Sequence, residues 1–122
     1  MPFSGRLERN AIALQVVDTL DAYEASVDAW LLEPGNFIFY QQLSSQIEQV
    51  RTMSSTALPR AAGALTDLLL AHTDLTFIVL KKHLVRLGAL ADQGDQLANA
   101  VKRHQLTLSE MRSLCIRPGA RG

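Results

Sequence analysis

The sequence has a single cysteine, Cys115, which excludes an internal disulfide. A chain of this kind suits a reducing compartment, and a cytoplasmic location is expected. It has no surplus of charge of either sign, since Lys plus Arg and Asp plus Glu both number 12. That balance excludes a whole-chain field drawing it to nucleic acid or to a membrane. It also lacks a long apolar run free of polar interruption. A bilayer span needs about 20 mostly apolar residues, and the best window, Ala61 to Leu80, is broken by Asp67, His72 and Asp74. The opening MPFSGRLERN has no basic stretch followed by an apolar one, so no signal peptide is expected. Gly-rich phosphate loops, H-E-x-x-H, C-x-x-C and G-x-S-x-G patterns are missing as well. Neither an enzyme nor a bound metal or cofactor is expected.

What is present is a chain of 122 residues, 48% apolar and 20% charged, enough for one folded domain with a modest core. Only four prolines occur, and Pro34 and Pro59 divide the chain into three long proline-free blocks. The longest-patterned stretch, Ala61 to Ala91, organises the rest. Leu65, Leu69, Phe77, Leu80, Leu84 and Leu87 recur at helical spacing, with Asp67, Asp74 and Lys81 every seven residues opposite them. Leu68, Leu70, Leu75, Ile78 and Val85 fall outside that stripe, and a helix apolar on so much of its circumference is normally covered by several neighbours.

Around it, a first helix is expected from about Ser4–Arg6 to Leu32, with Ile12, Val16, Leu20, Tyr23, Val27, Trp30 and Leu31 as its apolar stripe. Glu33-Pro34-Gly35 ends it, because proline disfavours helix at the residue before it, and Asn36 is a natural N-cap for the next helix. That second helix carries Leu43, Ile47 and Val50 inward and an uncharged face of Gln41, Gln42, Ser45, Gln46 and Gln49. Met53 to Leu58 reads as a break before Pro59. Gly94 and Asp95 mark either a chain reversal or a point where one helix runs on, since a single interior glycine costs only about 1 kcal/mol. The fourth helix has Leu97, Val101, His104, Leu108, Met111 and Cys115 in one stripe, and Thr107 with Glu110 suggests a restart after a kink. The expected fold is therefore all-α: a small antiparallel bundle of about four helices over 1–116 with a tail at 117–122. The apolar excess of the third helix predicts completion as a homodimer centred on residues 65–90, with Leu68, Leu75, Ile78, Val79 and Val85 at the interface.

Charge is divided unevenly along the chain. Residues 1–56 hold three basic and seven acidic side chains, net −4, and residues 57–122 hold nine basic and five acidic, net +4. The simplest expectation is that the two halves pack against each other. Two basic triplets, Lys81-Lys82-His83 and Lys102-Arg103-His104, would stand side by side if the chain reversed at Gly94, with Arg86 extending them. Lys81, Lys82, Arg86, Lys102 and Arg103 would then offer an anion or nucleic-acid patch.

The run His72-Thr73-Asp74-Leu75-Thr76 sits where it resembles the histidine phosphotransfer domains, four-helix bundles of about this length with a phosphorylated histidine on a long helix. It lacks the lysine and glycine of their His-x-x-Lys-Gly pattern, and Asp74 would oppose a phosphoryl group. Leu106 to Leu114 resembles, over nine residues, a Leu-x-x-Ile-Arg-x-Leu stretch in the helix-turn-helix region of MerR-type regulators, without the wing or reading helix around it. His72 and His83 lie eleven residues apart, about 16 Å along a helix, too far to share a metal.

The functional expectation is a non-enzymatic helical interaction protein, such as a bacterial adaptor, secretion chaperone or regulator, acting on a protein partner. A nucleic-acid-binding regulator is the alternative, and phosphotransfer through His72 the weaker one.

Overall fold

A computed structural model describes the backbone of residues 2–86 and 94–116, and the side chains of residues 11–83 and 96–116. The described residues form four α-helices: α1 (Pro2–Leu32), α2 (Phe37–Ala57), α3 (Ala62–Arg86) and α4 (Gly94–Ile116), with a short 3-10 turn at Pro59–Ala61. Residues 117–122, read as a tail, lie outside the described residues.

Local chemistry sets each boundary. After Leu32 the backbone turns, with Asn36 N–H donating to the Glu33 carbonyl at 2.9 Å. The indole N–H of Trp30 donates to the Pro34 carbonyl at 3.1 Å and ties the turn to the core. Asn36 is the N-cap of α2, its Oδ1 accepting from Ile38 N–H at 3.0 Å and Phe39 N–H at 3.4 Å. Leu58, non-helical and followed by Pro59 at the head of the 3-10 turn, ends α2.

Two expectations are corrected here. The segment 53–57 continues α2 rather than breaking it. Val50, Ser54 and Ala57 prolong its inward stripe, and the Thr52 and Thr56 hydroxyls donate to carbonyls four residues back, so their polarity is absorbed within the helix. Likewise α4 has no kink at Thr107, whose hydroxyl donates to the His104 carbonyl at 2.8 Å in an uninterrupted helix.

Each hairpin, α1–α2 and α3–α4, is closely packed. The hairpins meet mainly along α1 and α4, with a sparser contact between α2 and α3. Arg103 of α4 reaches Asp74 of α3 at 3.4 Å, so the chain reverses between Arg86 and Gly94 and the continuous-helix alternative does not hold. His83, near the end of α3, lies against Gly35, where an added Cβ would stand 3.5 Å from its ring. The fold is thus an antiparallel four-helix arrangement, with Tyr23, Trp30, Leu43, Leu68, Leu75, Leu108 and Met111 at its centre.

The inward face of α3 differs from the stripe expected. Ala61, Ala64, Leu65, Leu68, Ala71, Leu75 and Val79 are buried, whereas Phe77 is 65% and Leu80 41% exposed. Alanines and leucines share the inward face, and the phenylalanine lies outside it. Leu84 and Leu87 of the expected stripe fall outside the described side chains. Opposite charges of the two halves meet where Arg112 of α4 donates to Asp21 at 2.9 Å and to Glu24 at 2.8 Å on α1.

Candidate functional site

Three polar side chains interrupt the apolar interior at one level. Tyr23 stands in the inward stripe of α1 between Leu20 and Val27, His104 in that of α4 between Ala100 and Leu108, and His72 on α3 between Leu68 and Leu75. Helical periodicity therefore turns all three to the interior. The Tyr23 hydroxyl lies 2.7 Å from Nδ1 of His72 and 2.7 Å from Nε2 of His104. Its ring centroid is 5.7 Å from that of His72 and 5.5 Å from that of His104, both pairs tilted. Tyr23 is fully buried, His104 nearly so, and His72 half-buried.

The electrostatics follow from burial. Desolvation raises the Tyr23 phenol far above its ordinary range, so it stays protonated. His72 is lowered by desolvation. His104 is lowered to about 4, first by desolvation and then by the nearby charge of protonated His72, with Glu24 opposing. At neutral pH the cluster is a phenol between two neutral imidazoles. It contains neither an imidazolium nor a phenolate, and its chemistry is directional hydrogen bonding that joins α1 to α3 and α4. His72 is thus engaged through Nδ1 with Tyr23, a setting different from the exposed histidine of phosphotransfer domains.

Tyr23 was legible only as a core residue. A tyrosine in an apolar stripe carries a hydroxyl that needs a partner when buried, and His104, also in a stripe, was the available signal. His83 takes no part in the cluster, and its Nδ1 is buried without a hydrogen-bond partner. No group of three His, Cys, Asp or Glu suited to a metal occurs among the described residues. Burial pushes the Cys115 thiol up, away from thiolate chemistry, and outweighs the opposing charge of Arg112.

The basic triplets do not stand side by side. The Arg103–Asp74 pair sets Arg103 opposite residue 74, seven residues or about 10 Å short of Lys81 along α3. The two triplets are therefore out of step along the helices. His104 faces inward, Lys102 and Arg103 are exposed, Lys82 is half-buried, and the Lys81 ammonium lies 5.8 Å from the Phe77 ring centroid. The Arg86 and Val85 side chains lie outside the described residues.

Of the residues expected at an interface, Leu68, Leu75 and Val79 are buried in the chain's own core, and Ile78 is half-buried. This is a correction: their spacing matches the inward face of α3, so they are not available to a second chain. Among the described residues of α3, the large apolar side chains left exposed are Leu70 (61%), Phe77 (65%) and Leu80 (41%). Leu70 and Phe77, two turns apart, share the outer face with Leu80 at its edge. A second exposed group, Leu32, Phe37 and Ile38, flanks the α1–α2 turn. Between α1 and α2, grooves lined by Asp18, Thr19, Ser45 and Gln49 lie open to solvent. By length and composition Pro59–His83 is apolar enough to cross a membrane, and a third of its most apolar window is buried inside this fold.

No protein-family model, characterised protein or solved structure matches the chain.

Proposed function

We propose that this chain is a non-enzymatic helical interaction protein that works as a homodimer, with the outer faces of two α3 helices packed against each other. The observation that carries the reading is the exposure of Leu70, Phe77 and Leu80 on one side of α3, the most apolar of the four helices. Apolar groups gathered on one face favour association, because covering them removes apolar surface from water.

Charge placement supports a second copy as the occupant. Asp67 lies near the start of this outer flank and Lys81 near its end, with Leu70 and Phe77 between them. A two-fold axis near residue 74 runs the helices antiparallel and sets Asp67 of each copy opposite Lys81 of the other. Asp74, which would approach its own copy near the axis, already has Arg103 beside it. The contact is self-complementary, as an isologous interface requires.

Sedimentation equilibrium at low micromolar concentration tests the proposal. The dimer mass is expected for the native chain, and the monomer mass for a Leu70→Ser, Phe77→Ser variant whose far-ultraviolet spectrum is unchanged. A native monomer across that range would refute it. A native monomer that also retards duplex DNA in a salt-dependent way, with the effect lost on Lys102→Ala and Arg103→Ala, would transfer the function to nucleic-acid binding.

A further inference from the structure

We infer that Tyr23, His72 and His104 form a proton-sensitive latch between the α1–α2 and α3–α4 hairpins, closed only while the imidazole that accepts from the Tyr23 hydroxyl is neutral. The inference is independent of the dimer and rests on a count of hydrogens. A phenol has one hydrogen to donate and an oxygen that accepts. With two imidazole nitrogens at 2.7 Å, the closed arrangement has the Tyr23 hydroxyl donating to one ring nitrogen while the other ring donates its N–H to the Tyr23 oxygen. One neutral histidine must therefore present a bare nitrogen and the other an N–H. Adding a proton to the accepting ring makes both nitrogens donors. The phenolic hydrogen then has no acceptor between the two rings, and the bond donated by the Tyr23 hydroxyl is lost. A buried donor left without an acceptor, beside a buried imidazolium, is unfavourable enough to open a seam.

The surroundings leave the histidines as the groups that respond. On α1, Glu24 acts on His104, and both Glu24 and Asp21 are held by Arg112 of α4. On α3, Asp74 pairs with Arg103 of α4 on the exposed side. His83 lies eleven residues beyond His72, against Gly35. On α2 the inward residues Leu43, Ile47, Val50 and Ser54 are uncharged, and the charged pair Glu48–Arg51 is exposed. Arg112 of α4 also ties the two hairpins together through Asp21 and Glu24, nearer the surface than the buried Tyr23 hydroxyl. Burial lowers both histidines below their ordinary value of 6.5, His104 to about 4. The folded chain therefore binds fewer protons than the unfolded chain, and stability present above about pH 6.5 is lost as pH falls toward 4.

The test uses the full chain with Cys115→Ser and spin labels at Ser45 on α2 and Thr73 on α3, both exposed. The inter-label distance is followed from pH 7.5 downward, with far-ultraviolet circular dichroism and nitrogen-15 spectra of the histidines recorded on the same samples. At neutral pH, of His72 Nδ1 and His104 Nε2, one should carry hydrogen and the other none. On acidification the distance should lengthen together with histidine protonation while helical content persists. In a His72→Gln, His104→Gln variant, whose amides cannot titrate in this range, the distance should stay constant. Both nitrogens protonated at neutral pH, histidines titrating at their ordinary value with no change in distance, or a distance change that survives in the double glutamine variant would each overturn the latch. The native-chain titration stands alone should that variant fail to fold.

Discussion

On the inner face of α3, Ala64, Leu68, Ala71, Leu75 and Val79 are covered by the rest of the chain; on its outer face, Leu70 and Phe77 are more than half exposed. Apolarity is therefore not what separates the two faces. Size is. The inner face alternates alanine with leucine, and small residues let the neighbouring backbone come close while each leucine fills the remaining space. The outer face has a phenylalanine and two leucines that remain exposed. Hydrophobic character identifies a surface that avoids water, and complementarity of volume decides which surface the chain can cover by itself.

Substitutions on the two faces should therefore diverge, and the largest effect belongs inside. Leu68→Ala removes a side chain with no exposed area and should cost about 2–5 kcal/mol in urea unfolding. An effect below about 1 kcal/mol would mean that the inner face is less tightly packed than described. Tyr23→Phe tests the polar part of the same interior. It leaves the ring in place but strips His72 and His104 of their shared partner, and should cost about 1–3 kcal/mol at neutral pH. A neutral result would show the hydroxyl to be dispensable there.

A smaller loss, about 1 kcal/mol, is expected for Asn36→Ala, which deletes the N-cap of α2 without touching either face of α3. This substitution separates a general sensitivity of the fold from one confined to α3. The least effect is expected outside. Phe77→Ser should change the unfolding free energy of the monomer by no more than about 0.5 kcal/mol, measured at concentrations low enough to dissociate any dimer. If Phe77→Ser were as damaging as Leu68→Ala, the contrast between the faces would collapse.

Much of the architecture was legible in the sequence. Pro34, Asn36 and Pro59 act through the backbone next to them, so the α1–α2 turn and the start of α3 could be placed from local chemistry. The inward stripes of α1 and α4 were likewise readable, because their large apolar residues recur at helical spacing on one side. For α3 the division failed. Apolar side chains occupy both sides, and choosing the stripe with the largest residues put Phe77 inside and Leu68 outside. The rejected face was the buried one, because its alanines at 61, 64 and 71 carry a weak apolar signal but permit close approach.

The cluster of Tyr23, His72 and His104 was hidden for a different reason. Its members are 49 and 81 residues apart in pairs with Tyr23, and no local pattern links them. Only the register of three helices brings them together. The same register moved the basic triplets apart, since it sets Arg103 beside Asp74 rather than beside Lys81.

The central claim, that the uncovered face of α3 is covered by a second copy, is tested most directly by the mass of the native chain in solution beside that of its Leu70→Ser, Phe77→Ser variant. Sedimentation equilibrium at low micromolar concentration should return a dimer for the first and a folded monomer for the second. A native chain that remains monomeric, or a variant that remains dimeric, would contradict it.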